Sequence, residues 1–150
     1  MKQVNSRGFS LIEIMVVLVI MGLLASIVAP NVMEALSGSK AQKVQADFAN
    51  IETALKMYKL DNFVYPSSEQ GLEALVSRPT SSPEPKNWRK GGYLPEMPVD
   101  PWGNDYLYLS PSDSGKPYEI YTLGADGVRG GEEEGVDINN WDKAGQSGEH

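Results

Sequence analysis

The sequence predicts an α+β fold. A long N-terminal α-helix, apolar in its first half and amphipathic in its second, packs its second half on a small antiparallel sheet, and a C-terminal loop suited to metal binding follows. Three observations carry this. Gly8 to Ala29 is an almost unbroken apolar run. Val44, Phe48, Ile51, Leu55 and Tyr58 recur at steps of 4, 3, 4 and 3, the period of one helix face. Two short β-prone runs, Tyr106–Leu109 and Tyr118–Leu123, flank a loop rich in Ser, Pro and Gly.

The apolar run is as long as the ~20 residues a helix needs to cross a bilayer core. Lys2 and Arg7 precede it with no acid among them, so the positive-inside rule keeps the N-terminus cytoplasmic and exports the body. A cleaved secretory signal would have a shorter apolar core and a better site than Ala29-Pro30. An uncleaved signal anchor explains the length and the flanks. Neither explains Glu13, an acid in apolar sequence, where a central carboxylate costs about 2.5–3.5 kcal/mol even on the lenient insertion scale.

The stretch R-G-F-S-L-I-E, Arg7 to Glu13, behind a short basic leader, resembles the class III signal of type IV pilins and type II secretion pseudopilins. The resemblance implies cleavage after Gly8 by a prepilin peptidase and N-methylation of Phe9. Glu13 then stands fifth in the mature chain. Its carboxylate would pair with the Phe9 α-amine of a neighbouring subunit, cancelling two charges that are each costly alone in an apolar phase.

Beyond the run, Pro30 removes a backbone donor, and Gly22 and Ser37-Gly38-Ser39 weaken helical order. The helix either stops at Ala29 or continues kinked. Continuation is expected, because the periodic stripe resumes, led in by Leu36 or Ser37 and Ala41. Packing of that stripe on the chain's own sheet is expected rather than a coiled coil.

Pro66 ends the helix at Asp61–Pro66. Ser67 and Ser68 are N-cap candidates for a short helix reaching about Val76, with Leu72, Leu75 and Val76 inward. Arg78 to Pro98 holds five prolines and Gly91-Gly92, so it reads as a long irregular connection pinned by Trp88, Tyr93 and Leu94. Asp100-Pro-Trp-Gly-Asn reads as tight turns. The hairpin after it buries either Leu107 and Leu109 or the neighbouring tyrosines, but not both sets.

Leu123 to Trp141 has no regular periodicity. It is acidic and glycine-rich, with Arg129 its only base. Bent backbone carrying several oxygens suits Ca²⁺, which takes 6–8 oxygen ligands, although the spacing is not that of an EF-hand. A solvated acidic turn region is the plain alternative.

Asp100–Asn104, Leu123–Gly127, Gly130-Gly131 and the D-I-x-x-W ending at Trp141 resemble the major pseudopilin family of the type II secretion system, so the similarity covers nearly the whole chain. The resemblance implies a type IV pilin-like fold with one Ca²⁺ site. Asp126 and the Leu123 carbonyl would be its ligands, Val128 would offer a second carbonyl, Asp137 matches the family's D-I, and the choice among Asp137, Glu132, Glu133 and Glu134 stays open. It further implies a leader over residues 1–8, a membrane or fibre-core helix over 9–30 and a periplasmic head over 31–150. The subunit would be a homopolymer in a periplasmic pseudopilus that supports export of folded proteins across the outer membrane. Its partners would be minor pseudopilins, the prepilin peptidase, an inner-membrane platform protein and an assembly ATPase.

Composition narrows the rivals. There is no Cys, so thiol chemistry and the disulfide common in adhesive type IV pilins are excluded. The only His is the terminal His150, and no nucleotide-binding fingerprint is present, so a membrane-anchored periplasmic enzyme is not expected. A net charge of −7 without a clustered basic surface argues against nucleic acid. A type IV pilin without that disulfide and a minor pseudopilin are the remaining alternatives.

Overall fold

The computed structural model describes residues 8–142. Met1–Arg7, seven of the eight residues of the expected leader, and the last eight residues, His150 included, lie outside the described residues. The element order is one long helix α1 (Leu11–Asn62), a 3₁₀ turn at Leu72–Leu75, strands β1 (Leu107–Leu109) and β2 (Glu119–Thr122), a second 3₁₀ turn at Glu133–Gly135, and β3 (Ile138–Asn139). Two compact units divide the chain, Met1–Ser39 and Lys40–His150.

In the first unit, α1 continues through Gly22 and Pro30 rather than stopping at Ala29. Leu11–Ala29 has a mean hydropathy of 2.8 over 19 residues, and its apolar side chains are exposed on every side. A helix apolar all round belongs in lipid or among other helices, not in water. Ser26 lowers the polar cost of this segment by donating its hydroxyl to the Leu23 carbonyl at 2.7 Å. The unit ends at the Ser37-Gly38-Ser39 trio, with Leu36 exposed.

In the second unit, all five stripe residues from Val44 to Tyr58 are buried, together with Ala54. Ala41 is exposed, so the buried stripe begins at Val44. Full burial of each large apolar side chain is worth about 1.5–3 kcal/mol, which makes this face the main adhesive of the unit. It packs with Leu72, Leu75, Tyr106, Tyr108, Tyr118 and Ile120.

The sheet is three-stranded and antiparallel in the order β1-β2-β3. Tyr108 pairs with Ile120, and both face the core. Of the two sets the hairpin had to choose between, the tyrosines go inside and Leu107 stays exposed. Hydrogen bonding makes that choice affordable. The Tyr106 hydroxyl donates to Asp47 at 2.7 Å, and the Tyr108 hydroxyl donates to the Pro66 carbonyl at 2.9 Å. β3 was not expected; two residues are too few to show a period, and β3 exists through its pairing with Tyr121 and Thr122.

The short helix expected from Ser67 is reduced to the 3₁₀ turn Leu72–Leu75. Ser67 does act as a cap: its hydroxyl accepts from the Gln70 N–H while Gln70 Oε1 accepts from the Ser67 N–H. Gly71 then takes φ 63, outside helical space, and ends the turn at once. The Gln70 amide instead donates to the carbonyls of Ser81 and Pro83, tying down the proline-rich connection. Trp88, Tyr93 and Leu94 pin that connection to the core as expected, with the Trp88 indole donating to the Ala74 carbonyl at 2.9 Å.

Candidate functional site

The residues expected to serve processing and assembly sit at the start of α1. Gly8, Phe9 and Ser10 precede the helix, and Glu13 lies in its first turn, where its N–H donates to the Ser10 carbonyl at 3.0 Å. A carboxylate there complements the positive end of the helix dipole. Phe9 and Glu13 are both exposed, so the groups that the motif singles out are open to a neighbour.

The tail loop is built on a buried carboxylate that the sequence reading did not single out. Asp100 is only 2% exposed. Its Oδ1 accepts from the N–H groups of Trp102 and Asn104, closing the D-P-W-G-N turn, and its Oδ2 accepts from the Thr122 hydroxyl at 2.6 Å. Thr122 Oγ1 in turn accepts from the Gly124 N–H. The turn thereby fixes where the chain leaves β2 and enters the loop. The readable signal was an Asp opening a Pro-Trp-Gly turn, a common side-chain-to-backbone motif.

Within the loop, Asp126 Oδ1 accepts from the Val128 N–H at 3.1 Å, and Asp137 Oδ2 accepts from the Gly130 N–H at 2.9 Å. Asp126 is exposed, yet its carboxylate lies against the 131–135 backbone: a Cβ on Gly135 would lie 2.6 Å from its Oδ2. Gly131, at φ 140, has its own Cβ position 3.0 Å from the same oxygen. Both carboxylates are thus turned onto the 130–135 backbone. Asp137 Oδ1 is buried without a hydrogen-bond partner. Leu123 is half-buried at the end of β2, and Val128 is exposed.

The three glutamates do not act alike. Glu132 is exposed, and the side chain of Glu133 lies outside the described residues. Glu134 Oε2 pairs with Lys40 Nζ at 2.7 Å and lies 3.5 Å from the Trp102 indole nitrogen, so this carboxylate faces α1. Among the described residues, no three His, Asp or Glu side chains stand together as a metal group by themselves. A cation here would need backbone oxygens beside Asp126 and Asp137.

The end of the loop is fastened by Asn140 and Trp141. Asn140 donates to Glu52 on α1 at 2.7 Å and accepts from the Ile120 N–H at 2.9 Å. The Trp141 indole donates to the Tyr118 carbonyl at 2.7 Å.

Both parts of the chain match known proteins. Residues 4–29 match the prokaryotic N-terminal methylation motif, and residues 31–141 match the family described as type II secretion system (T2SS), protein G. The chain is 55% identical to the type II secretion system core protein G of Pseudomonas aeruginosa over 142 residues, 95% of this chain and 99% of that one. It is likewise 55% identical to the protein of the same name from Vibrio cholerae, over 93% of this chain and 94% of that one. The crystal structure of the major pseudopilin from the type 2 secretion system of enterohaemorrhagic Escherichia coli superposes with a TM-score of 0.67 at 46% identity. That likeness covers 75% of this chain and 95% of the other. The helix, the sheet and the methylation motif therefore agree, and the chain belongs to the type II secretion system protein G family of structural pseudopilins.

Proposed function

We propose that the chain is inserted in the bacterial inner membrane with its head in the periplasm. There it is cleaved after Gly8 by a prepilin peptidase, methylated at Phe9 and polymerised through α1 into a pseudopilus. That fibre supports export of folded proteins across the outer membrane. The single observation that carries this is the helix that is apolar on every face behind a methylation motif. Lipid holds such a helix before assembly, and neighbouring helices cover it afterwards. Glu13 pairs with the Phe9 α-amine of the adjacent subunit, setting the register of one helix on the next. A platform protein and an assembly ATPase drive the addition of subunits, and minor pseudopilins join the same fibre.

The tail loop holds one Ca²⁺ through the Asp126 and Asp137 carboxylates, with the Leu123 and Val128 carbonyls completing the set. The fit rests on Asp137 Oδ1, a buried oxygen whose negative charge has no donor beside it. An oxygen-seeking cation supplies the charge that this atom needs.

Glu13→Ala tests the assembly step. The variant is processed and inserted normally yet yields no fibres by electron microscopy of sheared material. Wild-type fibre yield from that variant contradicts the pairing.

A further inference from the structure

The C-terminal end of the α1 stripe carries a surface that the monomer does not explain. Leu60 is 77% exposed and Phe63 80% exposed. Together with Lys56, Lys59 and Tyr65 they line an open hollow of about 420 Å³. Phe63 is the only non-glycine with positive φ among the described residues, at 68°. Its N–H donates to the Lys59 carbonyl at 2.7 Å, which puts it at the residue just past the helix, where glycine or asparagine is usual. A bulky side chain in that conformation is strained. The strained residue carries an exposed aromatic ring.

The surface is basic at its rim in a chain whose net charge is −7. Lys59 sits 4.6 Å above the Tyr65 ring, and Lys56 makes only a long 3.7 Å contact with Glu52, which already accepts from Asn140. A complementary surface exists on the same unit. The tail loop exposes Val128 and Glu132, and it is tied to α1 at Lys40 through Glu134. Leu60 lies twenty residues further along the helix, roughly 30 Å at 1.5 Å per residue. The two surfaces are therefore set apart along one helix, one apolar and basic, the other apolar and acidic.

We propose that the occupant of the Leu60–Phe63 surface is the tail loop of a second copy of this chain. Val128 enters the hollow beside Phe63, and Glu132 faces Lys56 and Lys59. Different patches meet in this contact, so it does not close on itself and each added copy presents a fresh surface. It rests on the reading of the chain as a fibre subunit. It adds a head-to-head contact to the helix contacts made through Glu13, and it gives the ordered tail loop a role in assembly.

The absence of native cysteine makes the test direct. Leu60→Cys and Val128→Cys are introduced together in the full-length chain, and assembled fibres are oxidised. A ladder of covalent multimers on a non-reducing gel is expected, whereas each single variant gives none. Fibres of the double variant that remain monomeric after oxidation overturn the proposal. Phe63→Gly supplies a second arm. The detergent-solubilised full chain should keep or raise its melting temperature, because the strained position is relieved, while fibre yield is lost. A lowered melting temperature, or wild-type fibre yield, shows that Phe63 does not serve assembly. A wild-type chain that makes no fibres instead overturns the subunit reading itself.

Discussion

Lys40 Nζ and Glu134 Oε2 lie 2.7 Å apart, an ion pair that joins the beginning of the head to its tail loop across 94 residues of sequence. Both side chains are partly exposed, so the pair itself is worth no more than about 1 kcal/mol. Its value is orientation: it turns Glu134 toward α1, while Asp126 and Asp137 turn onto the 130–135 backbone. Three of the loop's acids are thereby sorted: Glu134 fastens, while Asp126 and Asp137 are the two proposed to hold a cation.

That sorting predicts the response to a chelator. Removing Ca²⁺ from the full chain should lower its melting temperature by on the order of 10 °C if the site is filled a hundredfold above Kd. Asp126→Ala and Asp137→Ala should abolish the sensitivity, whereas Glu134→Ala should retain it. Differential scanning calorimetry with and without chelator decides. Indifference of the wild type to chelator leaves the loop a solvated acidic turn, and loss of sensitivity in Glu134→Ala makes that residue a ligand.

Asp100 should matter more to stability than any acid on the surface. Its carboxylate satisfies two backbone donors and the Thr122 hydroxyl in a buried position. Asp100→Ala leaves those donors without a partner and should cost about 3 kcal/mol, read as a lower urea midpoint at unchanged slope. A loss below 0.5 kcal/mol, about that of an ordinary surface change, contradicts the role given to this turn.

The buried tyrosines predict an alkaline limit. Burial pushes the Tyr106, Tyr108 and Tyr118 hydroxyls well above their ordinary value of 10, and for Tyr106 the hydrogen bond to Asp47 pushes further the same way. The folded chain therefore keeps protons that the unfolded chain gives up. Stability from these groups is complete below pH 10 and is lost as pH rises beyond it. Circular dichroism melts from pH 8 to 12 should fall from about pH 10 upward, and Tyr106→Phe should make the fall shallower. A flat profile contradicts the burial of these groups.

Much of the fold was legible because helical periodicity is a strong local signal. Val44 to Tyr58 stepped along one face, and that face is the buried one. The apolar run and Glu13 were equally plain, since a lone charge in such a run needs a reason. What stayed hidden depended on partners distant in sequence. The tyrosines won over Leu107 because Asp47 and Pro66 accept their hydroxyls, and neither acceptor is near them in the chain. The short helix from Ser67 failed because Gln70 found carbonyls across the connection and Gly71 left helical space. In the tail, a run of three glutamates gave no means of telling them apart, and only the position of Lys40 separates Glu134 from the others.

In the proposed function, membrane anchorage, methylation and polymerisation meet at one atom, the nitrogen of Phe9. Mass spectrometry of the subunit recovered from sheared fibres reads that atom directly. The account predicts a mature chain beginning at Phe9 and carrying one methyl group on its α-amine. Fibre subunits that begin at Met1 or after Ala29, or that begin at Phe9 without the methyl group, contradict it.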